Sequence, residues 1–206
     1  PYYSLGSGNR LVKNDGHYCR SATCLAGFHG RLSTEYGGLD ALNAAWGSDL
    51  ASIDAAMPLS WEEARAAGRF APWVDFRRYM DTVFTSIHTF ARDLVKVQEP
   101  RARVGFTEAA DSDLYAGYDW HQLAAELDML IARPDLLSME KVRSYRRPGM
   151  FTGLVYDHHP DENPAYAAWL PWAALSLGMP SLWYDGPNSG SGGATTDGML
   201  TPDGRL

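Results

Sequence analysis

The clearest pattern in the chain is a stripe of apolar side chains at helical spacing between about Val74 and Gln98. Charged residues fill the intervening positions, and Glu99-Pro100 is expected to end this helix. Two shorter segments with the same periodicity, Cys24 to Tyr36 and Leu39 to Trp46, are each followed by glycine, which favours a helix end. Helices are also predicted at 120–130 and 164–177. The stripe of the long helix consists of Phe76, Met80, Val83, Phe84, Ile87, Phe90, Ala91 and Leu94.

Short apolar or aromatic runs between glycine, proline or polar residues predict strands. Because these runs alternate with the helices through short connections, we expect an α/β fold with a parallel sheet. A doubly wound sheet and a (β/α)8 barrel both fit, but the chain lacks a G-x-G-x-x-G turn between strand and helix. The predicted strands are too few for a closed barrel, so we predict a TIM barrel truncated to roughly strands four to eight. They are Tyr2–Leu5, Ala102–Thr107, Leu136–Met139, Met150–Tyr156 and Ser181–Tyr184.

The first residues, Pro1-Tyr2-Tyr3, begin inside a predicted strand without an initiator methionine. We therefore expect residues 1–206 to form a single partial barrel domain of catalytic type that is a fragment of a longer protein. A half-barrel exposes two sheet edges and part of its apolar interior, so the isolated chain is expected to be poorly soluble.

Composition and charge exclude several classes of protein. The chain has 18 basic and 25 acidic residues, a formal charge of −7, which argues against a nucleic-acid partner. It has no run of about eighteen apolar residues, so no membrane span is expected. Its two cysteines are too few for a disulfide scaffold. Cytoplasmic and secreted locations are both compatible with this composition, and so is a homo-oligomer.

Acidic residues follow several of the predicted strands, where a barrel collects its chemistry. Glu108 follows the second strand, Glu140 the third and Asp157 the fourth. Carboxylates on neighbouring strand ends suit a pair of general acid/base and nucleophile, and aromatic side chains beside them suit a sugar ring. We predict that two carboxylates at these strand ends form a catalytic pair and that carbohydrate is the partner. The predicted sugar contacts are Asn9, Trp73, Glu140, Tyr156, His158, Trp183 and Asp185.

Several of these residues also have a structural interpretation. Glu140 fits an ion pair with Arg143 or Arg146, and Trp73, assigned to a loop, and Trp183 fit packing equally well. Adjacent histidines in an extended chain point to opposite sides. A metal-dependent hydrolase built on Asp157-His158-His159 would thus need a further ligand nearby. Residues interpreted as structural are Trp46, Trp169 and Trp172, with His88 either structural or solvated.

Two segments together resemble the β-galactosidases of glycoside hydrolase family 42. Tyr36 to Gly47 reads YGGLDALNAAWG, and in that family a cysteine cluster leads into a helix and a YG-x-LDALN-x-AWG segment. The sequence Asp75-Phe76-Arg77-Arg78 is similar to the family's DF-(K/R)-R helix. The resemblance implies a glycoside hydrolase that acts on a β-linked sugar such as a β-galactoside and requires no cofactor.

The resemblance also implies a retaining mechanism with two glutamates at strand ends. The acid/base position, at the end of the fourth barrel strand, falls at Ser7-Gly8 in this chain. The nucleophile position, at the end of the seventh, falls near Asp157, one methylene shorter than glutamate. Because glycine cannot transfer a proton, either Glu108 has taken that role or the chain is a catalytically inactive relative that binds carbohydrate.

The family's cysteine spacing, C-x-C-x2-C, aligns with Cys19, Ser21 and Cys24. The resemblance implies a structural zinc ion held by these cysteines, with serine in place of the middle ligand. From the residues alone, the pair is two thiols or, in a secreted protein, a disulfide, since two thiolates do not fill a zinc shell.

Overall fold

The computed structural model describes residues 1–12, 18–109, 115–156 and 164–184. Within these residues the chain is an α/β fold with one parallel sheet, whose strand order β1-β2-β3-β4-β5 follows the sequence. All described strands run in the same direction, so their carboxyl ends lie at one edge of the sheet. The strands are β1 (Tyr2–Ser7), β2 (Arg103–Ala109), β3 (Met129–Ala132), β4 (Phe151–Tyr156) and β5 (Leu182–Tyr184).

α-Helices connect the strands, and four of those in the described residues lie between β1 and β2. Ser60 and Glu63, three residues apart, form a capping box at the start of α3, in which each side chain accepts from the backbone N–H of the other. None of the helices in the described ranges is long and apolar enough to cross a membrane. The helices are α1 (Ala22–Tyr36), α2 (Leu39–Trp46), α3 (Trp61–Ala67), α4 (Ala71–Gln98), α5 (Trp120–Glu126), α6 (Leu136–Tyr145) and α7 (Pro164–Ser176).

The described residues group into two compact units. The sheet unit consists of residues 1–9, 88–109, 120–156 and 164–184, and contains the five strands, α5 to α7 and the end of α4. The helical unit consists of residues 10–12, 18–87 and 115–119, and contains α1 to α3 and most of α4.

The core of the sheet unit lies on both faces of the central strands. Phe106 of β2 is fully buried and packs on the helix-covered face. On the other face, Met129, Ile131 and Val155 form an apolar cluster, partly covered by Phe151 and Trp183. Every residue of β3 is buried, as expected for a parallel strand inside an α/β fold.

The core of the helical unit contains the residues that carry the family resemblance. The Tyr36 hydroxyl and the Trp46 indole Nε1 both donate to Oδ2 of buried Asp75, each at 2.7 Å. Phe28 packs edge-on against Phe76 with 5.0 Å between ring centroids. These residues join α1, α2 and α4, so the motif residues act here as structural residues.

The hydrogen bond from Tyr36 to Asp75 makes stability depend on pH. Burial, with the hydrogen bond to Asp75, raises the pKa of Tyr36 from 10.0 to about 12. Between pH 10 and about 12 the Tyr36 hydroxyl therefore keeps its proton in the folded chain but loses it in the unfolded chain. The stabilisation from the hydrogen bond to Asp75 is thus complete below pH 10 and is lost as the pH rises to about 12. We expect the urea midpoint to fall over this interval, and Tyr36→Phe to remove part of that fall. Tyr145→Phe, at an exposed position of α6, is the control; equal behaviour of both variants would contradict the assignment.

Two predictions for residues 120–139 are wrong. The helix predicted to reach Leu130 ends at Glu126, and Met129–Ala132 form β3. The segment Leu136–Met139, predicted as a strand, begins helix α6. Because β3 is buried on both faces it lacks the alternation that identifies a strand. Asp135 caps α6 by accepting from the Ser138 N–H at 2.8 Å.

The long helix α4 buries only part of its predicted apolar stripe. Phe76, Met80 and Phe84 are buried, but Phe90 and Leu94 are 66% and 56% exposed. Two tryptophans interpreted as packing residues are also exposed, so that interpretation is wrong. They are Trp169 and Trp172 of α7, whereas Trp46 is buried as predicted.

Candidate functional site

The described part of the candidate site lies in the sheet unit, where β1 and β2 end. Glu108 lies near the end of β2, and Gly8 and Asn9 follow β1. Three of the predicted site residues lie outside the described ranges: Asp157, His158 and Asp185. A fourth, Tyr156, ends β4, but its side chain is not described. The described geometry therefore bears on the acid/base position.

Both strands carry an extra residue near their carboxyl ends. From Ser4 to Ser7, β1 advances three residues while β2 advances two. From Phe106 to Ala109, β2 advances three residues while β3 advances two. Each irregularity is a β-bulge, which re-aims the side chains around it. In the second bulge Ala109, and not Glu108, pairs with Ala132, which lies two residues after the partner of Phe106.

Backbone strain coincides with this bulge. Glu108 has φ 53°, a positive value that no other non-glycine residue adopts in the described ranges. A glutamate in the left-handed region is unfavourable by roughly 1–2 kcal/mol, so the surrounding structure must hold it there. Such strain is concentrated at functional sites, so the backbone conformation supports Glu108 as a functional residue.

The Glu108 carboxylate lies against Gly8. A Cβ atom built on Gly8 would lie 3.3 Å from Glu108 Oε2, closer than an ordinary van der Waals contact. Gly8 has φ 59°, which favours glycine, and its N–H donates to the Thr107 carbonyl at 3.0 Å. A carboxylate from β2 thus occupies the space beside the position where the family resemblance implies a carboxylate on β1.

Asn9 closes the turn after β1. Its Nδ2 lies 2.8 Å from His88 Nε2 and donates to the Leu5 carbonyl at 3.3 Å. Its Oδ1 covers Gly6, where an added Cβ would approach it to 2.3 Å. The amide predicted to contact sugar is therefore engaged within the chain.

Sequence reasoning did not identify His88 as part of this site. His88 is 6% exposed, and its ring centroid lies 5.0 Å from that of Phe106. It continues the buried face of α4 at a regular spacing of four residues. That spacing is the signal that could have found it, because a polar residue on a buried face needs a partner. The other members of the face are Phe76, Met80 and Phe84.

The other predicted contacts lie elsewhere. Because Glu140 lies on α6, the prediction that it ends a strand is wrong; it pairs with Arg143, which lowers the pKa of the carboxyl. Trp183 does belong to β5, but its ring contacts Tyr2 and Phe151, which begin β1 and β4. Its ring thus reaches toward the edge opposite Glu108.

Trp73 belongs to the helical unit. It lies in the first turn of α4, so its predicted loop position is wrong. Its ring contacts Trp61 at 5.1 Å between centroids, and it lines a small cavity of about 20 Å³ with Tyr18 and Arg77.

Cys19 and Cys24 are free thiols at the start of α1 in the helical unit. The hydrogen bond between the two thiols, with that to Ser21, lowers the pKa of Cys19 to about 7, and the same thiol–thiol hydrogen bond raises that of Cys24. Among the described residues no group of three or more His, Cys, Asp or Glu side chains could hold a metal ion. The donor set described here therefore does not fit a tetrahedral zinc ion, which needs four ligands.

Two solved β-galactosidase structures are similar in fold to this chain. That from Bacillus circulans sp. alkalophilus is 17% identical, with a TM-score of 0.63 over 82% of this chain and 29% of its own. That from the psychrophilic Marinomonas ef1 is 19% identical, with a TM-score of 0.59 over 88% of this chain and 33% of its own. No protein-family model and no curated protein matches the sequence. At this identity the likeness establishes the α/β fold, and the chain spans about a third of the length of these β-galactosidases.

Proposed function

We propose that this chain forms strands four to eight of the TIM barrel of a retaining glycoside hydrolase that acts on a β-linked sugar such as a β-galactoside. Glu108 is the proposed acid/base and Asp157 the proposed nucleophile. The observation that carries the proposal is the position of the Glu108 carboxylate, 3.3 Å from where a Cβ atom on Gly8 would lie, because Gly8 matches the family's acid/base position. The β-galactosidase fold of the solved structures supports the same class of reaction.

In this mechanism Glu108 first acts as a general acid. Its carboxylic acid donates a proton to the glycosidic oxygen while the Asp157 carboxylate attacks the anomeric carbon and the leaving group departs. The Glu108 carboxylate then takes a proton from water, whose oxygen displaces Asp157 and releases the sugar with retained configuration. This requires the two carboxyl groups to lie about 5–5.5 Å apart.

The bulge in β2 and the turn after β1 have supporting roles in this proposal. The positive φ of Glu108 directs the carboxylate of β2 toward Gly8. Asn9, held by its contacts with His88 and the Leu5 carbonyl, fixes the turn that carries Gly8. Both features are preorganisation, which keeps a general acid in place without contacts from the sugar.

The test is hydrolysis of a panel of aryl β-glycosides by the full-length protein. We expect turnover by wild type, and a loss of roughly 10²- to 10⁴-fold in kcat in Glu108→Gln, the typical contribution of a general acid. Asp157→Asn is expected to abolish turnover, because an amide does not form the glycosyl intermediate. Glu62→Gln, at an exposed position of α3, is the matched control and is expected to match wild type. Wild-type rates in Glu108→Gln would contradict the assignment of Glu108.

A second candidate function is a catalytically inactive relative that binds carbohydrate. Gly8 favours it, because the family's acid/base position carries no side chain. Binding of a β-galactoside measured by calorimetry, with no turnover of any substrate in the panel, would identify this second function and exclude the first.

A further inference from the structure

The entrance to α1 brings two thiols together. Cys19 precedes the helix and is exposed, whereas Cys24 lies in its first turn and is half-buried. Four residues separate the two cysteines in the chain, so a disulfide between them would close a short loop at the helix entrance. It requires the two Sγ atoms to approach to about 2.05 Å.

Ser21 organises this arrangement. Its Oγ lies 3.2 Å from Cys19 Sγ and accepts from the Cys24 N–H at 3.3 Å as the N-cap of α1. One hydroxyl therefore contacts the side chain of the first cysteine and the backbone of the second. The helix cap and the thiol pair are parts of the same structure, so folding of α1 itself sets the geometry of the pair.

We propose that Cys19 and Cys24 form a redox-active dithiol that closes to an intramolecular disulfide by exchange with a small-molecule disulfide. The exposed Cys19 thiolate attacks one sulfur of the small disulfide, forming a mixed disulfide and releasing one thiolate. The Cys24 thiolate then attacks Cys19 Sγ and displaces the second thiolate. The protein loses two protons and two electrons, and the small disulfide is reduced to two thiols.

The disulfide would link the segment before α1 to the first turn of the helix. That segment carries Tyr18, which is buried and packs edge-on against Phe76 with 6.1 Å between ring centroids. It also carries Arg20, which pairs with Glu63 of α3 at 3.6 Å. Oxidation therefore acts on a segment that already contacts both α3 and α4.

The experiment treats the reduced full-length protein with excess oxidised glutathione, with a chelator present throughout, and maps the peptides by mass spectrometry. In wild type we expect free thiols to fall from two to none, and the peptide containing Cys19 and Cys24 to lose the mass of two hydrogens. Cys24→Ser is expected to stop at a glutathione adduct on Cys19, because the second exchange has no thiol. In Cys19→Ser we expect Cys24 to form its adduct at least about tenfold more slowly than Cys19 does in Cys24→Ser.

Two results would overturn the proposal. One is wild-type protein that carries glutathione on both cysteines, since this would mean that the thiols react independently. The other is wild-type protein that keeps both free thiols while denatured protein, treated identically, forms the disulfide. The denatured sample also shows that the reagent is active. Neither result depends on glycosidase activity, so the dithiol and the proposed function are tested separately.

Discussion

Replacing Phe28 with alanine is expected to lower the free energy of unfolding of the helical unit by about 3–5 kcal/mol, the usual effect of removing a buried phenylalanine. Phe28 is fully buried, and its ring packs against Trp46, Phe76 and Tyr79 with centroid distances of 6.3, 5.0 and 5.8 Å. The substitution removes these contacts and leaves a cavity that the aromatic neighbours cannot fill without leaving their rotamers.

The matched control for Phe28→Ala is Phe90→Ala. Phe90 is also a helical phenylalanine, but it is 66% exposed. Its replacement is expected to change the free energy of unfolding of the sheet unit, to which Phe90 belongs, by less than about 0.5 kcal/mol, as for most surface substitutions. Urea denaturation followed by tryptophan fluorescence measures both variants. Equal effects of the two substitutions would contradict the placement of Phe28 in the buried core of the helical unit.

Replacing Glu108 with glutamine is expected to slow glycoside hydrolysis to a degree that depends on the leaving group. A poor leaving group such as an alkoxide needs a proton from the general acid, so the full loss of roughly 10²- to 10⁴-fold is expected there. An activated leaving group such as dinitrophenolate departs without a proton, so glycosylation of the enzyme is expected to be nearly unaffected. Rates for a series of aryl β-glycosides, plotted against the leaving-group pKa, measure this difference.

A purely structural role for Glu108 predicts a different result in that series. If the glutamine variant distorts the sheet, all substrates slow by the same factor and the slope of the plot stays that of wild type. Glu62→Gln controls for the general effect of neutralising a glutamate, since Glu62 lies in the helical unit. A uniform loss would contradict the acid/base assignment.

Much of the fold could be predicted because local signals agree with the tertiary structure. Helices α1 and α2 are capped by Gly37 and Gly47, which have φ 70° and 60°, as the glycine signals indicated. The α/β class followed from the alternation of strands and helices. The errors arose where the local sequence pattern does not distinguish the alternatives. β3 is uniformly apolar, so it lacks the alternation of a strand. The apolar stripe of α4 continues through Phe90 and Leu94, although these two residues are exposed.

The candidate site could be predicted only in part. Glu108 was identifiable as an acidic residue after a strand, but its contact with Gly8 depends on the bulges in β1 and β2. Bulge positions follow from the pairing register of neighbouring strands, and local sequence does not determine that register. His88 was missed for a similar reason, because its partner Asn9 is 79 residues away in the chain.

The central proposal is that Glu108 supplies the carboxylate that Gly8 lacks, and the reaction of Glu108→Ala with azide tests it most directly. Truncation opens space beside the anomeric carbon, and azide, unlike water, needs no general base to attack the glycosyl-enzyme intermediate. With a dinitrophenyl β-glycoside we predict that azide increases the turnover of Glu108→Ala and leaves that of wild type unchanged. The predicted product is the β-glycosyl azide. Turnover of Glu108→Ala equal to wild type without azide, or low turnover that azide does not raise, would contradict the proposal.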